Sequence, residues 1–167
     1  MLETSRIKLK PLTYQQMLKY IQNDNSLEAE LKLNKTTMTI SPLLKDALEQ
    51  SILPNVADET KDYLYSTLWT VIDKSRNIAV ADVCFQGEPN HQGEIEIGYG
   101  TYETFQGKGY MCEAVQAMIK WAKNQSKVKA IIAATDKTNI ASYKILENND
   151  FTKDSETAEH FNWRLEF

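Results

Sequence analysis

Residues 94–124, EIEIGYGTYETFQGKGYMCEAVQAMIKWAKN, decide how this chain of 167 residues folds. Alternating polar and apolar residues predict a strand over 94–101, and Gly107 and Gly109 predict a turn after it. An amphipathic helix follows, and its apolar stripe consists of Met111, Val115, Met118 and Ala122. The first backbone N–H groups of a helix have no intrahelical partner and lie at the positive end of its dipole. The turn therefore favours an anion, most often a phosphate.

The sheet extends to both sides of this stretch. Strands over 68–72 and 78–85 precede it and are joined by short turns, so they should be antiparallel. A nearly continuous apolar run over 128–135 follows the helix and should pair in parallel through a right-handed crossover. The remaining strands are predicted at 6–10, 151–153 and 160–167. No repeat or linker divides the chain, which predicts one domain over residues 1–167.

Capping residues predict where three further helices begin. Thr13 predicts one start, and Ser41 followed by Pro42 predicts another, for a helix that ends at Pro54. Asn139 predicts the third, after the parallel strand. The apolar face of the helix that starts at Ser41 is predicted to contain Leu43, Leu44, Ala47, Leu48 and Ile52.

Composition narrows the class of protein. The formal net charge of −4 and the absence of a basic stripe argue against a nucleic-acid partner. No apolar run approaches the roughly 20 residues of a membrane helix, and we expect a cytoplasmic protein without a membrane partner. Cys84 and Cys112 are expected to be free thiols, and no Cys, His and Asp spacing indicates a metal site. Whether the chain forms a homodimer is left open.

Three phosphate-binding motifs can be compared with the turn. A P-loop requires G-x-x-x-x-G-K-[ST], which does not occur. A dinucleotide fingerprint requires G-x-G-x-x-G, but Cys112 occupies the place of its third glycine. The third comparison fits best: Gln106-x-x-Gly109-x-Met111 resembles the [Q/R]-x-x-G-x-[G/A] acetyl-CoA motif of the GNAT family of N-acetyltransferases.

The resemblance to the GNAT family extends over nearly the whole chain. Segments similar to the branch that acetylates ribosomal-protein N-termini are Arg6–Leu12, Glu96–Tyr99, Gly107–Ala114 and Asn139–Ser142. The resemblance implies an α/β (α+β) fold, with a mixed, mostly antiparallel sheet of six to seven strands, helices on both faces and one splayed parallel strand pair. It also implies an enzyme that moves the acetyl group of acetyl-CoA to a primary amine, on a protein N-terminus or a small molecule.

The resemblance further implies which residues bind acetyl-CoA. Backbone N–H groups from Gly107 to Met111 would hold the pyrophosphate, and the open strand edge at 99–101 would pair with the pantetheine amides. The residues assigned to the cofactor are Tyr99, Gly100, Thr101, Gln106, Gly107, Lys108, Gly109, Tyr110, Met111, Asn139 and Ser142. Three of them have simpler interpretations: Asn139 as a helix cap, Ser142 as a serine in the first turn of that helix, and Lys108 as a solvated lysine.

The family pattern and this sequence differ at three places. Met111 stands where the motif has glycine or alanine, and Asp150 replaces a glycine, although aspartate tolerates the left-handed conformation. Leu146 replaces a tyrosine that acts as general acid in many members, so a non-catalytic acyl-CoA-binding sensor or scaffold is the alternative function.

Cys112 could be a nucleophile in a two-step route, but direct attack on the thioester needs none.

The chemistry requires a base and an acid. An amine with a pKa of about 10.4 is mostly protonated at neutral pH, so a group must accept its proton. Glu96 is the first candidate for the base, and Glu94, on the same face of the strand, is the second. Ser142 or Tyr143 could protonate the departing thiolate, and the resemblance favours Ser142. A backbone N–H group near residues 99–101 would hold the oxyanion.

Overall fold

The computed structural model describes residues 1–167. The strands are β1 (Leu2–Glu3), β2 (Ile7–Pro11), β3 (Trp69–Asp73), β4 (Ile78–Phe85), β5 (Glu94–Thr101), β6 (Ala130–Asp136), β7 (Thr152–Glu156) and β8 (His160–Glu166). The α-helices are α1 (Tyr14–Gln22), α2 (Ser26–Glu30), α3 (Pro42–Ala47), α4 (Leu53–Ala57), α5 (Tyr110–Lys123) and α6 (Ile140–Glu147). None of these helices is long and apolar enough to span a lipid bilayer.

All eight strands belong to one sheet, in the order β1-β2-β3-β4-β5-β6-β8-β7. Neighbouring strands are antiparallel except β5 and β6, which confirms the predicted mixed sheet. The sheet has one strand more than the predicted six to seven. The extra strand, β1, is only two residues long, and two residues are too few to show an alternating pattern.

Strand β5 changes its partner halfway along. Residues 94–96 pair with β6, and the last parallel pair is Glu96 with Ile132. Residues 97–101 pair only with β4, from Ile97 opposite Phe85 to Thr101 opposite Ala81. Beyond Glu96 the two parallel strands therefore separate, and a gap opens in the sheet as predicted.

Helices cover both faces of the sheet, again as predicted. The larger apolar core lies under α5, whose predicted stripe of Met111, Val115, Met118 and Ala122 is buried. Helix α6 joins this core through Leu146. The smaller core on the opposite face includes Met17 and Tyr20 of α1 and Leu27 of α2. The crossover from β5 to β6 thus places the start of α5 beside the gap.

The helix that begins after Ser41 departs from its prediction. It continues past Pro54, because a π-helical turn over Leu48–Ile52 joins α3 to α4. Pro54 is the second residue of α4 and directly follows the π-helical turn, in which the N–H of Leu53 donates to the carbonyl of Leu48. Its predicted apolar face is also only partly correct: Leu48 is buried, but the side chain of Leu43 is 81% exposed.

Candidate functional site

The turn before α5 presents a row of free backbone donors. Gly107 and Gly109 have φ angles of 72° and 76°, in the left-handed region that glycine enters without strain. None of the N–H groups of residues 107–112 donates a hydrogen bond within the protein, and the first that does is Glu113, to the carbonyl of Gly109 (3.2 Å). With the dipole of α5 behind them, these groups form a site for an anion.

The residues on either side of Gly109 contribute differently to this site. Tyr110 and Met111 are buried in the core, so they can offer a ligand only their backbone N–H groups. The side chain of Met111 therefore does not occupy the ligand's side of the turn, although the family motif has a smaller residue there. Gln106 donates to the carbonyl of Thr101 (3.3 Å), and the ammonium of Lys108 donates to the carbonyl of Thr104 (2.9 Å). Both side chains are exposed at the mouth of the turn.

A buried carboxylate fastens the start of α5 to the hairpin of β3 and β4. The Tyr110 hydroxyl donates to Asp73 (2.6 Å), and Arg76 donates both to Asp73 (2.8 Å) and to the Tyr110 oxygen (2.8 Å). The Arg76 guanidinium also lies 5.0 Å from the ring centroid of Phe105, just before the turn. Asp73 and Arg76 could not be predicted as part of the site, because no local motif links residues so far apart in sequence.

Replacing Asp73 with asparagine is expected to lower the free energy of unfolding by about 1–3 kcal/mol at pH 7, because Tyr110 and Arg76 lose a charged partner. Burial acts to raise the pKa of Asp73, but hydrogen bonds from Tyr110, Ser75 and Arg76 outweigh it and hold the pKa well below its ordinary value. A depressed pKa gives stability that is complete above the unfolded-state pKa of about 3.9 and is lost as the pH falls below it. In urea unfolding between pH 7 and pH 3, the difference in free energy of unfolding between wild type and variant should therefore shrink below about pH 4. A deficit that does not change with pH would contradict this role for Asp73.

The gap between β5 and β6 exposes unpaired backbone groups of β5. Gln86 donates to the carbonyl of Glu96 (2.9 Å), and Tyr102 donates to the carbonyl of Val80 (3.0 Å), so the even-numbered residues of β5 direct their backbone groups toward β4. The odd-numbered residues Tyr99 and Thr101 therefore direct theirs into the gap. Gly100 differs from its two neighbours: its N–H and C=O groups face β4, so at this position the strand offers open space and no backbone partner to a ligand.

Tyr99 and Ser142 join the two sides of the gap. The Tyr99 hydroxyl donates to the Ser142 carbonyl (2.8 Å) and accepts from the Ser142 hydroxyl (3.4 Å). Burial raises the pKa of Tyr99 to about 12, so this phenol is a weak proton donor. The side-chain oxygen of Asn139 caps α6 by accepting from the N–H of Ser142 (3.1 Å). The predicted helix cap is thus observed, and it places Ser142 beside the gap.

Tyr143 points to a different part of the protein from Ser142. Its ring stacks on Trp163 with centroids 6.1 Å apart and meets the edge of Phe161 at 5.8 Å. Leu146, at the position of the family's tyrosine, is fully buried in the main core. Of the two predicted acid candidates, only Ser142 therefore has its hydroxyl hydrogen-bonded at the edge of the gap.

Replacing Ser142 with alanine is expected to lower kcat roughly tenfold, less than the usual effect of general acid catalysis, because a thiolate leaves without much help. The KM for acetyl-CoA should change little. Tyr143→Phe is the matched control, since it removes a neighbouring hydroxyl and keeps the aromatic contacts. Steady-state kinetics of both variants test the assignment, and a larger loss in Tyr143→Phe than in Ser142→Ala would reverse it.

Glu96 and Glu94 share one face of β5 but have different surroundings. Glu96 is half-buried, and burial raises its pKa despite a hydrogen bond from Gln86 (3.1 Å). Glu94 accepts hydrogen bonds from Arg164 and then Asn90, which hold its pKa below the ordinary value. A carboxylate with a raised pKa is the better proton acceptor, so the structure favours Glu96 as the base.

The face of β5 beyond Glu96 carries no side chains of its own. Gly98 and Gly100 follow on the same face of β5, and a Cβ atom at Gly100 would meet no atom within 4 Å. Cys112 lies on the other face, in α5, where its sulfur accepts from Asn149 (3.4 Å). Glu96 therefore lies on one face of β5, and Tyr99 with the Ser142 hydroxyl lies on the other, with the open edge of the strand between the two faces. The anion site follows the end of the same strand.

Comparison with known proteins places this geometry in a family context. The sequence model of the family described as "Acetyltransferase (GNAT) domain" matches residues 6–152. The "Uncharacterized N-acetyltransferase YjdG" of Bacillus subtilis is 35% identical over 95 residues, which cover 57% of this chain and 56% of that protein. The match thus spans little more than half the length of this relative.

Two solved structures share the fold over nearly their whole length. The ribosomal-protein-S5-alanine acetyltransferase from Vibrio fischeri has a TM-score of 0.67 at 19% identity, with 98% of this chain and 94% of that chain covered. The spermidine N-acetyltransferase from Vibrio cholerae, solved with CoA and spermine, has a TM-score of 0.67 at 12% identity, with 98% and 96% covered. At identities this low, the structural similarity demonstrates a common fold and nothing beyond it.

Proposed function

Because this chain belongs to the GNAT family of acetyltransferases, we propose that it transfers the acetyl group of acetyl-CoA to a primary amine. One observation carries the proposal. The segment 97–101 of β5 borders an open gap, and the row of unbonded N–H groups over 107–112 follows it in the chain. An extended pantetheine arm fits the first feature and a diphosphate fits the second. The two features follow each other along one path.

Three sets of residues would bind the cofactor along this path. The N–H groups of residues 107–112 would hold the pyrophosphate, with Lys108 adding a positive charge. The carbonyl of Tyr99 and the N–H of Thr101 would pair with the pantetheine amides, as an added strand pairs with a sheet edge. Ser142, across the gap from Tyr99, would lie near the sulfur.

The reaction then needs only side chains and backbone groups that border the gap. Acetyl-CoA supplies a thioester whose carbonyl carbon can accept the amine nitrogen and whose sulfur can leave as a thiolate. Glu96 would accept the proton that the amine loses, directly or through a water molecule. The N–H of Tyr99 would stabilise the negative charge that develops on the carbonyl oxygen. Ser142 would donate a proton to the departing sulfur.

The acceptor is proposed only at the level of a primary amine. The two structural neighbours named above act, by their names, on a ribosomal-protein alanine and on spermidine. A protein α-amine and a polyamine are therefore the first acceptors to test. We also propose a cytoplasmic location, since both cysteines are unpaired, as is usual in a reducing compartment.

Thiol release from acetyl-CoA tests the proposed activity. The purified protein is incubated with acetyl-CoA and a panel containing N-terminal peptides, polyamines and amino acids, and each amine is also incubated without protein. We expect release that depends on both the protein and at least one amine. The alternative, a CoA-binding sensor without turnover, rests on the replacement of the family's tyrosine by Leu146. CoA binding with no amine-dependent release across the panel would favour that sensor.

A further inference from the structure

Arg6 reaches from the start of β2 to the turn before α5. Its Nε atom pairs with the carboxylate of Glu113 at 2.6 Å, and its Nη1 atom donates to the carbonyl of Lys108 at 3.1 Å. The guanidinium also lies over the ring of Tyr110, 5.3 Å from its centroid. One side chain thus contacts residues on both sides of Gly109. Arg6 is the first residue of the Arg6–Leu12 segment, which resembles the family, and the proposed mechanism gives Arg6 no role.

The hydrogen bond to Lys108 fixes the orientation of a peptide group. The Lys108–Gly109 peptide is trans, so its C=O and N–H groups point in opposite directions. Because Arg6 holds the carbonyl on its own side, the N–H of Gly109 must point away from Arg6. That N–H is one of the unbonded donors of the anion site. Gly109 permits this orientation through its φ of 76°, but a glycine-flanked peptide could also rotate to other orientations.

The pairing with Glu113 removes a charge that would oppose an anion. Glu113 lies in the first turn of α5. Burial acts to raise its pKa, but hydrogen bonds from Thr4 and Arg6 outweigh it and lower the pKa, so the group is a carboxylate at neutral pH. An unpaired carboxylate one turn from the donors would repel a phosphate. Arg6 neutralises it.

We infer that Arg6 is a positioning residue for acetyl-CoA, which orients the Gly109 N–H group toward the pyrophosphate and neutralises Glu113. The inference rests on the proposed function, because it assigns Arg6 to the same cofactor site. The guanidinium of Arg6 contacts Glu113 and the Lys108 carbonyl together because its donors form a fixed fork. A lysine would offer a single ammonium instead. Charge alone at position 6 should therefore be insufficient.

Isothermal titration with CoA, using the full chain, tests this role. Arg6→Ala should weaken CoA binding about tenfold or more, because a charged hydrogen bond and an ion pair are lost together. Arg6→Lys should show most of the same loss of CoA affinity. The matched control is Lys74→Ala: Lys74 donates to the Thr4 carbonyl (3.0 Å) and pairs with Glu3 (2.7 Å), so it holds the same N-terminal segment without contacting the turn. We expect the control to bind CoA as the wild type does.

Steady-state kinetics separate positioning from a general loss of structure. Arg6→Lys should raise the KM for acetyl-CoA and leave kcat and the KM for the amine nearly unchanged. Unchanged CoA affinity in Arg6→Ala, wild-type affinity in Arg6→Lys, or an equal loss in Lys74→Ala would each overturn the inference. If the wild type itself does not bind CoA, the proposed function fails first, whereas a wild type that binds together with unaffected variants removes only the role of Arg6.

Discussion

Replacing Gly109 with aspartate is expected to abolish measurable binding of acetyl-CoA. The new carboxylate would add a negative charge at the turn that carries the free N–H groups of residues 107–112, and it would repel the pyrophosphate. A Cβ atom at this position would also lie 3.3 Å from the Arg6 guanidinium. The new carboxylate would therefore attract Arg6, the side chain that orients the turn. Isothermal titration with acetyl-CoA gives the measurement, and a loss of at least about 100-fold in affinity, near 3 kcal/mol, is expected.

Two controls show whether charge or distortion causes this loss. Gly109→Asn adds a side chain of nearly the same shape without the charge, and asparagine tolerates the left-handed φ of 76° as well as aspartate does. It should lose less affinity than the aspartate variant. Gly87→Asp introduces the same charge in the loop after β4, far along the chain from the turn. Its φ of 123° strains an aspartate, but a new Cβ there meets no atom within 4 Å, and the variant should bind normally. Wild-type affinity in Gly109→Asp would remove the pyrophosphate from this turn.

Replacing Glu96 with glutamine is expected to lower kcat about 100-fold at neutral pH, the lower range of what a general base contributes. The amide cannot accept the proton of the amine, although it can keep a hydrogen bond to Gln86 and so preserve the strand. Glu96 must be ionised to act, and burial raises its pKa, so wild-type activity should fall as acid protonates it. The KM for acetyl-CoA should not change.

The pH profile gives this prediction its sharpest form. The ratio of wild-type to variant activity should be largest where Glu96 is ionised and the amine is still mostly protonated. It should narrow as acid protonates Glu96, and also as the pH approaches the pKa of the amine, about 10.4 for a lysine-like amine and about 8 for a protein α-amine. Glu94→Gln is the matched control on the same face, because its ion pair with Arg164 keeps it away from proton transfer. The base would be reassigned if Glu94→Gln lost the activity instead, or if Glu96→Gln kept both its rate and its pH profile.

Local patterns predicted the parts of the site that depend on local physics. Gly107 and Gly109 indicated the left-handed turn, and Asn139 indicated the cap that places Ser142. Asp150, with a φ of 64°, adopts the left-handed conformation expected where the family has glycine. In each case the chemical property of one residue and its nearest neighbours was sufficient.

Contacts between distant segments could not be predicted in this way. Arg6 meets the turn 102 residues later, and Tyr110 meets Asp73 across 37 residues. Such pairs depend on the order of strands in the sheet and on the angle at which α5 crosses it, which no short motif encodes. The continuation of the helix past Pro54 was missed because a proline usually ends a helix, whereas here a π-helical turn precedes Pro54 and joins the two helical segments.

A crystal structure of the protein with CoA tests the central claim most directly. The account predicts pyrophosphate oxygens at about 2.9 Å from backbone nitrogens of residues 107–112, and the sulfur in the gap between β5 and β6, close to the Ser142 hydroxyl. Glu96 should face the open side of that sulfur, within reach of an amine or a bridging water. A pyrophosphate held elsewhere, or a pantetheine arm that does not enter the gap between β5 and β6, would contradict it.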